Sequence, residues 1–366
     1  MKVAVVHEWL LDYAGSERVV REILEVVPDA DLFALIDRRD AELREAIPRS
    51  ARTSFLQALP RPQRWLKYYV PLMPRAVRGL DVSGYDVVIS SSHAVAKGVR
   101  TKKGQLHLSY VHTPMRYAWD LREEYLRAAG LERGPLGWAA RFTLERLRRW
   151  DMRSARGVDV FLANSAHVAE RIRRAYGREA EVLHPPVDVA GFPLRADKED
   201  FYLTVSRLEA YKRVDLLVEA FNRDRARRLV IVGDGSERAR LRSMAGPNIT
   251  LTGRLPTSQV VDYMQRARAF LFAGIEDFGI VMAEAQACGT PVIAHGRGGA
   301  AEIVRDDTGV LFAEQTPAAL LDALRRFEGI SYSPDKCRQN ALRFDRPRFR
   351  ARFAALLSAY NRARIP

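Results

Sequence analysis

The sequence predicts an α/β protein of two domains, each built on a parallel sheet with helices on both faces. Its 366 residues, of which 47% are apolar, are enough for two domains with substantial cores. Short β-branched runs suit buried parallel strands, and they alternate along the chain with stretches of helical periodicity. Residues 185–193 contain three prolines and mark the end of the first domain, and a polar linker follows at 194–199.

The first half of the chain is predicted to begin with a strand, a loop and a helix. Residues 3–6 form the predicted strand, 7–15 the loop, and Ser16 starts a helix with one apolar face. Further strands are predicted at 86–90 and 105–111, and His112 directly follows the second of these. Ligands of an open parallel sheet bind beyond the carboxyl ends of its strands, so chemistry is expected at this histidine.

Residues 121–156 are predicted to be helical and rich in arginine. We interpret their aromatic side chains as packing residues and their arginines as solvated charge. Among the aromatic residues are Trp138, Phe142 and Trp150. This passage is therefore not predicted to be a separate site.

The second half is predicted to open with a strand at 201–205, followed by a loop that contains Arg207 and Lys212. An arginine offers a planar fork of donors and a lysine a mobile positive charge. Two such cations before a helix suit the binding of a diphosphate. Either of them alone would be interpreted as an ordinary surface charge.

An acidic loop at 273–279 leads from a predicted strand into a short helix. Asp277 is predicted to cap this helix, and Gly279 lets the backbone approach an anion at the helix N-terminus. Glu276 and Glu284 are eight positions apart, which corresponds to about 10 Å at the rise of a helix. The two carboxylates would therefore flank one anion site.

A nucleotide sugar needs this combination of groups. Its diphosphate requires hydrogen-bond donors, whereas the hydroxyls of its ribose and hexose require acceptors. Each glutamate alone is more often a solvated surface residue. The glutamate spacing resembles the Glu-x7-Glu motif of retaining glycosyltransferases of family 4. The resemblance extends to Phe278-Gly279, to a Gly-Thr-Pro stop at 289–291 and to the glycines at 296–299.

Three other segments support this resemblance, which covers nearly the whole chain. His112 resembles the histidine that many family members place beside the donor sugar, and 113–119 looks like the form found in bacterial surface-polysaccharide mannosyltransferases. Gly15 matches one of two adjacent glycines that usually precede the first helix, whereas Ala14 replaces the other. Residues 206–212 resemble the Gly-Arg-Leu…Lys pattern, with a serine in place of the glycine.

The resemblance implies which residues act. It assigns the catalytic roles to His112, Glu276, Arg207 and Lys212. It assigns donor binding to Gly15, Arg207, Lys212, Gly253, Arg254, Leu255, Glu276, Phe278, Gly279, Ile280 and Glu284. It implies neither a metal ion nor a cofactor, and the residues nominate no nucleophile.

The fold that the resemblance implies is GT-B, with two Rossmann-like, doubly wound domains facing a central cleft. The acceptor-binding domain would comprise 1–193 and 345–366, with a C-terminal helix that crosses back to it. The nucleotide-sugar domain would comprise 194–344. The implied reaction is retaining α-mannosyl transfer from GDP-mannose to a lipid-linked oligosaccharide, in cell-surface polysaccharide biosynthesis. Two alternatives stay open: a UDP-sugar as donor, and a non-catalytic sugar-nucleotide-binding or membrane scaffold protein.

The formal net charge of +14 is shared equally by residues 1–190 and 191–366. No basic tail or nucleic-acid module accounts for it, so no nucleic-acid partner is expected. Between Glu45 and Asp81 there are seven basic residues and no acidic ones, with Trp65, Tyr68 and Tyr69 among them. Such a basic stretch, from Arg49 to Arg78, suits an anionic membrane surface. A solvated basic face is an equally good interpretation.

The expected location is the cytoplasm, at the inner face of the plasma membrane. His7 and Glu8 interrupt the first apolar run, so we predict no signal peptide. No run approaches the roughly 20 apolar residues of a membrane span. The two cysteines, Cys288 and Cys337, are predicted to be structural thiols.

Overall fold

The computed structural model describes residues 1–63, 65–120, 122–128 and 130–363, apart from the side chains at 67 and 128. It divides into two compact units: the first is Met1–Pro185 with Phe349–Pro366, and the second is Pro186–Arg348. The sequence predicts these boundaries after residues 193 and 344, eight and four residues away. The difference arises because Val187 and Phe192 pack into the core of the second unit.

Within its described residues, the first unit contains one seven-stranded sheet in which every pair is parallel. Its strands are β1 (Val3–Leu10), β2 (Asp31–Asp37), β3 (Arg52–Thr53), β4 (Val87–Ser92), β5 (Leu106–Val111), β6 (Val160–Ala163) and β7 (Glu181–Val182), in the order β3-β2-β1-β4-β5-β6-β7. Its helices are α1 (Gly15–Val26), α2 (Ala41–Ala46), α3 (Leu66–Tyr69), α4 (Met73–Arg78), α5 (Arg122–Ala128), α6 (Gly134–Ser154) and α7 (Ala166–Tyr176).

The second unit contains a six-stranded parallel sheet in the order β10-β9-β8-β11-β12-β13, counted over its described residues. Its strands are β8 (Tyr202–Val205), β9 (Leu229–Val232), β10 (Ile249–Gly253), β11 (Ala269–Phe272), β12 (Val292–His295) and β13 (Gly309–Phe312). Its helices are α8 (Val214–Arg223), α9 (Arg238–Met244), α10 (Thr257–Arg266), α11 (Ile280–Ala287), α12 (Ala300–Ile303), α13 (Pro317–Glu328) and α14 (Pro334–Ala341). The last helix, α15 (Arg346–Arg362), runs from the second unit into the first.

Both faces of the first sheet are covered by helices. On one face, residues of α1 and α15, including Ile23 and Phe353, share a buried cluster with the strand residues Val5 and Ile89. The prediction that the C-terminal helix returns to the first domain is therefore confirmed. On the other face, residues of α4 and α6 pack against β1, β2 and β4 in a second cluster. This is the doubly wound arrangement that the sequence predicts.

The second sheet is also buried on both faces. Residues of α10, α11 and α14 form the core on one face, and residues of α8 and α13 form the core on the other. Cys288 belongs to the first of these cores, and Cys337 is buried in α14. Both are free thiols, in agreement with a structural role.

The first strand is longer than the sequence analysis predicts. β1 continues to Leu10, so the prediction that His7 and Glu8 lie in a loop is wrong. His7 still pairs with Ala34 of β2, and both charged side chains are fully buried. They can remain inside the strand because each has hydrogen-bonding partners within the fold.

The aromatic residues of α6 do not all serve packing. Trp150 is buried against the first sheet, as predicted, whereas the prediction is wrong for Trp138 and Phe142, which are exposed. The reason is the helical period, which turns these two side chains away from the face that carries Trp150. Throughout the part of the chain that the structure describes, no helix has the length and hydropathy to span a bilayer.

We predict that Phe353→Ala lowers the free energy of unfolding by about 3–5 kcal/mol, because Phe353 is fully buried and its loss leaves a cavity. Urea unfolding followed by circular dichroism measures this change. Phe142→Ala is the matched control, since Phe142 is exposed and its loss should change stability by less than about 0.5 kcal/mol. Equal effects of the two substitutions would contradict the packing of α15 on the first unit.

Candidate functional site

Polar side chains meet at the point where the strand order of the first sheet reverses. This switch point lies between β1 and β4, and ligands of doubly wound sheets bind beside such points. His7 and Glu8 lie towards the end of β1, and Ser91 and His93 lie at the end of β4. His112 directly follows β5, which pairs with β4.

His7 is held by two hydrogen-bond acceptors. Its Nδ1 lies 3.2 Å from the carbonyl oxygen of Ser91, and its Nε2 lies 3.1 Å from Oε1 of Glu17. Neither a carbonyl nor a carboxylate can donate a hydrogen bond, so this geometry suits a ring that carries both protons. Burial works against the charged ring, but the hydrogen bond to Glu17 and the charges of Glu17 and Glu8 raise the pKa of His7. His7 is thus a buried cation beside two carboxylates.

Glu17 connects this cation to the start of α1. Its Oε2 accepts hydrogen bonds from the backbone N–H of Ala14 at 3.2 Å and from Oγ of Ser16 at 2.9 Å. Burial alone would raise the pKa of Glu17, but the hydrogen bond and charge of His7 lower it. Gly15 is the first residue of α1 and lies between these two contacts. Its backbone is therefore held in place by Glu17, a residue that the sequence analysis did not select.

Glu8 organises the turn that follows β4. Its Oε1 accepts hydrogen bonds from the backbone N–H groups of His93, Ala94 and Ala96, at 3.0, 2.9 and 3.0 Å. Burial alone would raise its pKa, but the imidazoles of His93 and His7 and these N–H groups lower the pKa of Glu8 to about 2. Its other oxygen, Oε2, lies 3.1 Å from Nδ1 of His93. A buried carboxylate thereby sets the position of the His93 ring.

His93 and His112 form the more accessible side of this cluster. Both are half-buried, and their ring centroids lie 6.1 Å apart. Nε2 of His112 lies 2.8 Å from Oγ of Ser91. Burial lowers the pKa of His93, and it lowers the pKa of His112 to about 3. Both rings are therefore neutral at physiological pH, and a neutral imidazole can exchange hydrogen bonds with a hydroxyl group.

Only His112 of this cluster was predicted as a site residue. His7, Glu8, Glu17 and His93 were missed. One signal was available, because a His-Glu pair directly after an apolar strand run is unusual for buried positions and requires compensating partners. Across the described parts of the chain, no group of three or more His, Cys, Asp or Glu side chains is arranged to hold a metal ion.

The second sheet also has a switch point, between β8 and β11. Arg207 follows β8 and is exposed, and the loop with Glu276 follows β11. Lys212 ends a short 3-10 turn that precedes α8. The predicted cations and one of the predicted glutamates therefore belong to the two loops at this edge of the sheet.

Lys212 and Glu276 form an ion pair in which each side chain is 13% exposed. The backbones of their loops approach closely at Gly274. A Cβ atom on Gly274 would lie 3.0 Å from the carbonyl oxygen of Tyr211 and 3.1 Å from Cα of Lys212. The glycine thus permits the contact between the loops that brings the two charged side chains together.

The glycine-rich loop after β12 packs against the acidic loop. A Cβ atom on Gly298 would lie 2.2 Å from the carbonyl oxygen of Glu276, and one on Gly299 would lie 2.0 Å from that of Phe278. The N–H of Gly299 donates to the carbonyl oxygen of Glu276 at 2.9 Å. These glycines are therefore required by the close approach of two backbones.

The N-terminus of α11 differs from its predicted form. Its N-cap is Gly279, with a φ of 90° and no side-chain hydrogen bond, so the prediction that Asp277 caps this helix is wrong. A glycine adopts this left-handed backbone without strain and starts the helix two residues after Asp277. The first N–H groups of a helix have no acceptor within it. An anion site at α11 would use these N–H groups.

The other predicted donor-binding residues occupy different environments in the second unit. Glu284 is buried in the middle of α11, and Ile280 at its start is half-buried. The ring of Phe278 is buried and packs edge-on against Phe344, with centroids 5.1 Å apart. Phe278 therefore anchors the acidic loop through its ring.

The predicted base-binding segment 253–255 begins at the last residue of β10. Gly253 has a φ of 80°, and its carbonyl oxygen accepts a hydrogen bond from the N–H of Gly233 at 2.9 Å. Arg254 is exposed, and Leu255 packs against the core of the second unit. The segment thus lies at the carboxyl end of a parallel strand, where it can offer backbone groups to a ligand.

Two sequence profiles together match nearly the whole chain. Residues 13–190 match Glycosyltransferase Family 4, and residues 191–344 match Glycosyl transferases group 1. The chain belongs to the family 4 glycosyltransferases. Its fold is GT-B, as solved structures show. An Anabaena protein, HepE, in complex with UDP has a TM-score of 0.71 at 18% identity, covering 98% of this chain and 100% of HepE. Sucrose-phosphate synthase from Thermosynechococcus elongatus has a TM-score of 0.73 at 16% identity, covering 99% and 100%.

Curated relatives of this family 4 chain include two mannosyltransferases. A GDP-mannose-dependent monoacylated alpha-(1-6)-phosphatidylinositol monomannoside mannosyltransferase of Corynebacterium glutamicum is 33% identical over an alignment of 186 positions that covers 42% of this chain and 49% of that protein. A GDP-mannose-dependent alpha-(1-6)-phosphatidylinositol monomannoside mannosyltransferase of Mycobacterium tuberculosis is 32% identical over an alignment of 200 positions that covers 46% of this chain and 52% of that protein. The chain spans about half the length of these relatives.

We predict that Glu17→Gln destabilises the protein most strongly between pH 4.5 and pH 6.5, which are the ordinary pKa values of Glu and His. In this window Glu17 is ionised and His7 is charged. Loss of one partner of a buried pair costs about 3 kcal/mol or more. The pKa of His7 is raised in the folded protein, so the contribution of its charge to the free energy of unfolding is complete below pH 6.5. This contribution is lost as the pH rises through the pKa that His7 has in the folded state. The destabilisation should therefore shrink at alkaline pH.

Urea unfolding of wild type and Glu17→Gln over a range of pH measures this prediction. Glu170→Gln is the control, because Glu170 forms only exposed ion pairs with Arg173 and Arg174 on the surface of α7. Such pairs contribute about 1 kcal/mol at most. A destabilisation by Glu17→Gln that does not change with pH would contradict a charged His7.

Proposed function

We propose that this chain is a retaining α-mannosyltransferase, which transfers mannose from GDP-mannose to a lipid-linked oligosaccharide in cell-surface polysaccharide biosynthesis. The observation that supports transfer most directly is the Lys212–Glu276 pair at the switch point of the second sheet. The choice of GDP-mannose is supported by the two relatives that are GDP-mannose-dependent mannosyltransferases. The lipid-linked acceptor and the retaining course are implied by the family resemblance.

In this proposal the second unit binds the donor without a metal ion or a cofactor. Arg207, Lys212 and the first N–H groups of α11 would hold the diphosphate. These donors would also stabilise the negative charge that grows on the diphosphate as the sugar departs. When the diphosphate engages Lys212, the carboxylate of Glu276 is released to accept hydrogen bonds from the hexose. The ion pair thus keeps both groups in position before the donor arrives.

The first unit would supply groups that bind hydroxyls. The rings of His112 and His93 are neutral, so they can exchange hydrogen bonds with the hydroxyls of a sugar. Glu8 and Glu17 would act as positioning residues, since they hold the turn after β4 and the start of α1. Gly15 would let the backbone at the N-terminus of α1 approach the donor.

Two other functions are compatible with parts of this site. A UDP-sugar donor is suggested by HepE, which has been solved in complex with UDP. A sugar-nucleotide-binding or scaffold protein without turnover would need the nucleotide contacts but not the neutral histidines. Hydrolysis of the donor in the absence of acceptor separates an enzyme from such a scaffold.

We also propose that the first unit associates with the anionic inner face of the plasma membrane. In the basic stretch from Arg49 to Arg78, Tyr68 and Trp65 are exposed, as this proposal requires. Arg49 instead donates to backbone carbonyls near β2, and Arg52 lies 3.6 Å from Asp31. These two arginines therefore contribute to the fold. Arg64 and the side chain of Lys67 lie outside the described residues.

We predict that GDP-mannose raises the melting temperature of the protein more than UDP-glucose or UDP-galactose does. A ligand that binds only the folded state stabilises it by about 2.7 kcal/mol at one hundred times its dissociation constant. Differential scanning fluorimetry with each nucleotide sugar measures this effect. GDP and UDP without sugar are the controls for base recognition. Stabilisation by the UDP-sugars alone would overturn the proposed donor, and stabilisation by none would overturn the proposed function.

We predict that Glu284→Gln weakens the binding of free GDP, whereas Glu276→Gln chiefly slows mannosyl transfer. Glu284 would accept hydrogen bonds from the ribose, which GDP retains. Glu276 would face the hexose, which GDP lacks, and its replacement removes the carboxylate that pairs with Lys212. Free GDP should therefore bind Glu276→Gln as tightly as wild type or more tightly.

Isothermal titration with GDP and transfer assays on both variants test these roles. Loss of one good hydrogen bond to the ribose costs about 1 kcal/mol, or roughly fivefold in affinity. Glu199→Gln is a matched control in the second unit, because Glu199 is exposed and precedes β8, at the edge of the sheet opposite to the loops with Lys212 and Glu276. A larger loss of GDP affinity for Glu276→Gln than for Glu284→Gln would reverse the two roles.

A further inference from the structure

Large apolar side chains at the N-terminal end of α6 face the solvent. Trp138 is 80% exposed, Leu136 is 74% exposed and Phe142 is 64% exposed. Single exposed apolar residues are common on protein surfaces, but Trp138 and Phe142 are four positions apart and therefore lie on one face of the helix, whereas Leu136 lies on another. Nothing in the proposed transfer reaction uses these side chains.

Arginines continue the same face of α6. Trp138 and Phe142 are followed at helical spacing by Arg146, Arg149 and Arg153, all of which are exposed. We define the α6 patch as Trp138, Phe142, Arg146, Arg149 and Arg153. The guanidinium of Arg146 lies over the ring of Phe142, 5.7 Å from its centroid. The patch is thus apolar at its N-terminal end and basic towards its C-terminal end.

Acidic residues offset two of the five arginines of this helix, since Glu123 of α5 pairs with Arg141 and Glu145 pairs with Arg149. α6 contains five arginines and two acidic residues. One of the two, Asp151, is fully buried, where it forms an ion pair with Lys97. The other, Glu145, lies 3.1 Å from Arg149. The exposed face therefore has a net positive charge beside its aromatic rings.

We propose that the α6 patch docks the first unit on an anionic lipid bilayer. Trp and Phe rings favour the boundary between acyl chains and head groups, and guanidinium groups bind phosphate through paired hydrogen bonds. Trp138 and Arg153 are fifteen residues apart, or about 22 Å along a helix. The helix would therefore tilt so that its N-terminal end enters the interface while its arginines contact lipid phosphates.

A second copy of the chain fits this surface less well than a bilayer does. Packing two copies through this patch would bring together two surfaces of net positive charge. Two large apolar side chains also supply less area than the roughly 800 Å² per partner of a standard interface. A bilayer of anionic lipids complements both the charge and the apolar end.

The α6 patch lies on the same side of the first sheet as part of the basic stretch. The inward-facing residues Leu144 and Leu147 of α6 share one buried cluster with Leu66 and Tyr69 of α3. The two segments therefore cover one face of the sheet, from which both present exposed aromatic side chains. Docking through α6 rests on the proposed membrane association of the first unit and assigns a specific surface to it, and lipid binding through this surface requires no nucleotide sugar.

Sedimentation with vesicles tests the proposal directly. We would compare vesicles of phosphatidylcholine mixed with phosphatidylglycerol and vesicles of phosphatidylcholine alone. Trp138→Ser/Phe142→Ser removes the rings, and Arg146→Glu/Arg149→Glu reverses two charges. Each basic residue near an anionic surface is worth about 1 kcal/mol, so the second variant should bind the mixed vesicles at least tenfold more weakly. Trp138→Ser/Phe142→Ser should also bind the mixed vesicles at least tenfold more weakly than wild type. Salt should weaken the binding of wild type to these vesicles.

Matched controls come from the second unit. Ile330→Ser/Leu342→Ser removes exposed apolar side chains, and Arg240→Glu/Arg242→Glu reverses exposed charges. Both controls should bind vesicles as wild type does. Melting temperatures with and without GDP-mannose, measured on every variant, show that the fold is intact and test donor binding separately. A failed donor response would thus be distinguished from failed docking.

Quenching by lipids with brominated acyl chains shows which tryptophan enters the bilayer. Quenching of tryptophan fluorescence should fall in Trp138→Phe and persist in Trp65→Phe. Three outcomes would overturn the proposal: unchanged sedimentation of Trp138→Ser/Phe142→Ser, equal quenching in wild type and Trp138→Phe, or a self-association of wild type that this double variant loses. The last outcome, seen by analytical ultracentrifugation, would assign the patch to a dimer.

Discussion

Compensation of buried charge is the constraint on which the first unit depends. Glu8 and Glu17 are both buried, and an isolated buried carboxylate would cost several kcal/mol. His7 lies beside them as a cation, and backbone N–H groups supply further hydrogen bonds. The same contacts hold the end of β1, the turn after β4 and the start of α1. One electrostatic network therefore shapes the segments that surround the switch point.

In the second unit, the close approach of backbones holds the loops at the edge of the sheet. Gly274 permits the turn with Lys212 to approach the acidic loop, and Gly298 and Gly299 permit the approach of the glycine-rich loop. A side chain at any of these positions would collide with backbone atoms, which cannot rotate away as a side-chain tip can. The pairing of Lys212 with Glu276 follows from this close packing. The network in the first unit and the glycines in the second are two ways to hold loops at the carboxyl edge of a sheet.

Local patterns made much of this fold predictable. The β-branched runs and helical periods indicate two parallel sheets, and the structure contains both. Contacts between segments distant in the chain could not be predicted in this way. His93 follows an ordinary strand run, and its place beside Glu8 depends on the pairing of β4 with β1. The same limit applies to Asp277, because the helix start depends on the backbone conformation at Gly279.

The exposed end of α6 shows why composition alone could not distinguish the aromatic residues of the core from those of the surface. Trp138 and Trp150 belong to one arginine-rich helix, yet one is exposed and the other buried, because they lie on different faces. Burial of Trp150 fixes the rotation of the helix about its axis, and this rotation turns Trp138, Phe142 and Arg146 outward together. A helix whose inner face is fully used by the core has no further need of outward aromatic rings for stability. Their position beside exposed arginines suits a partner that is both apolar and anionic, which is the bilayer proposed above.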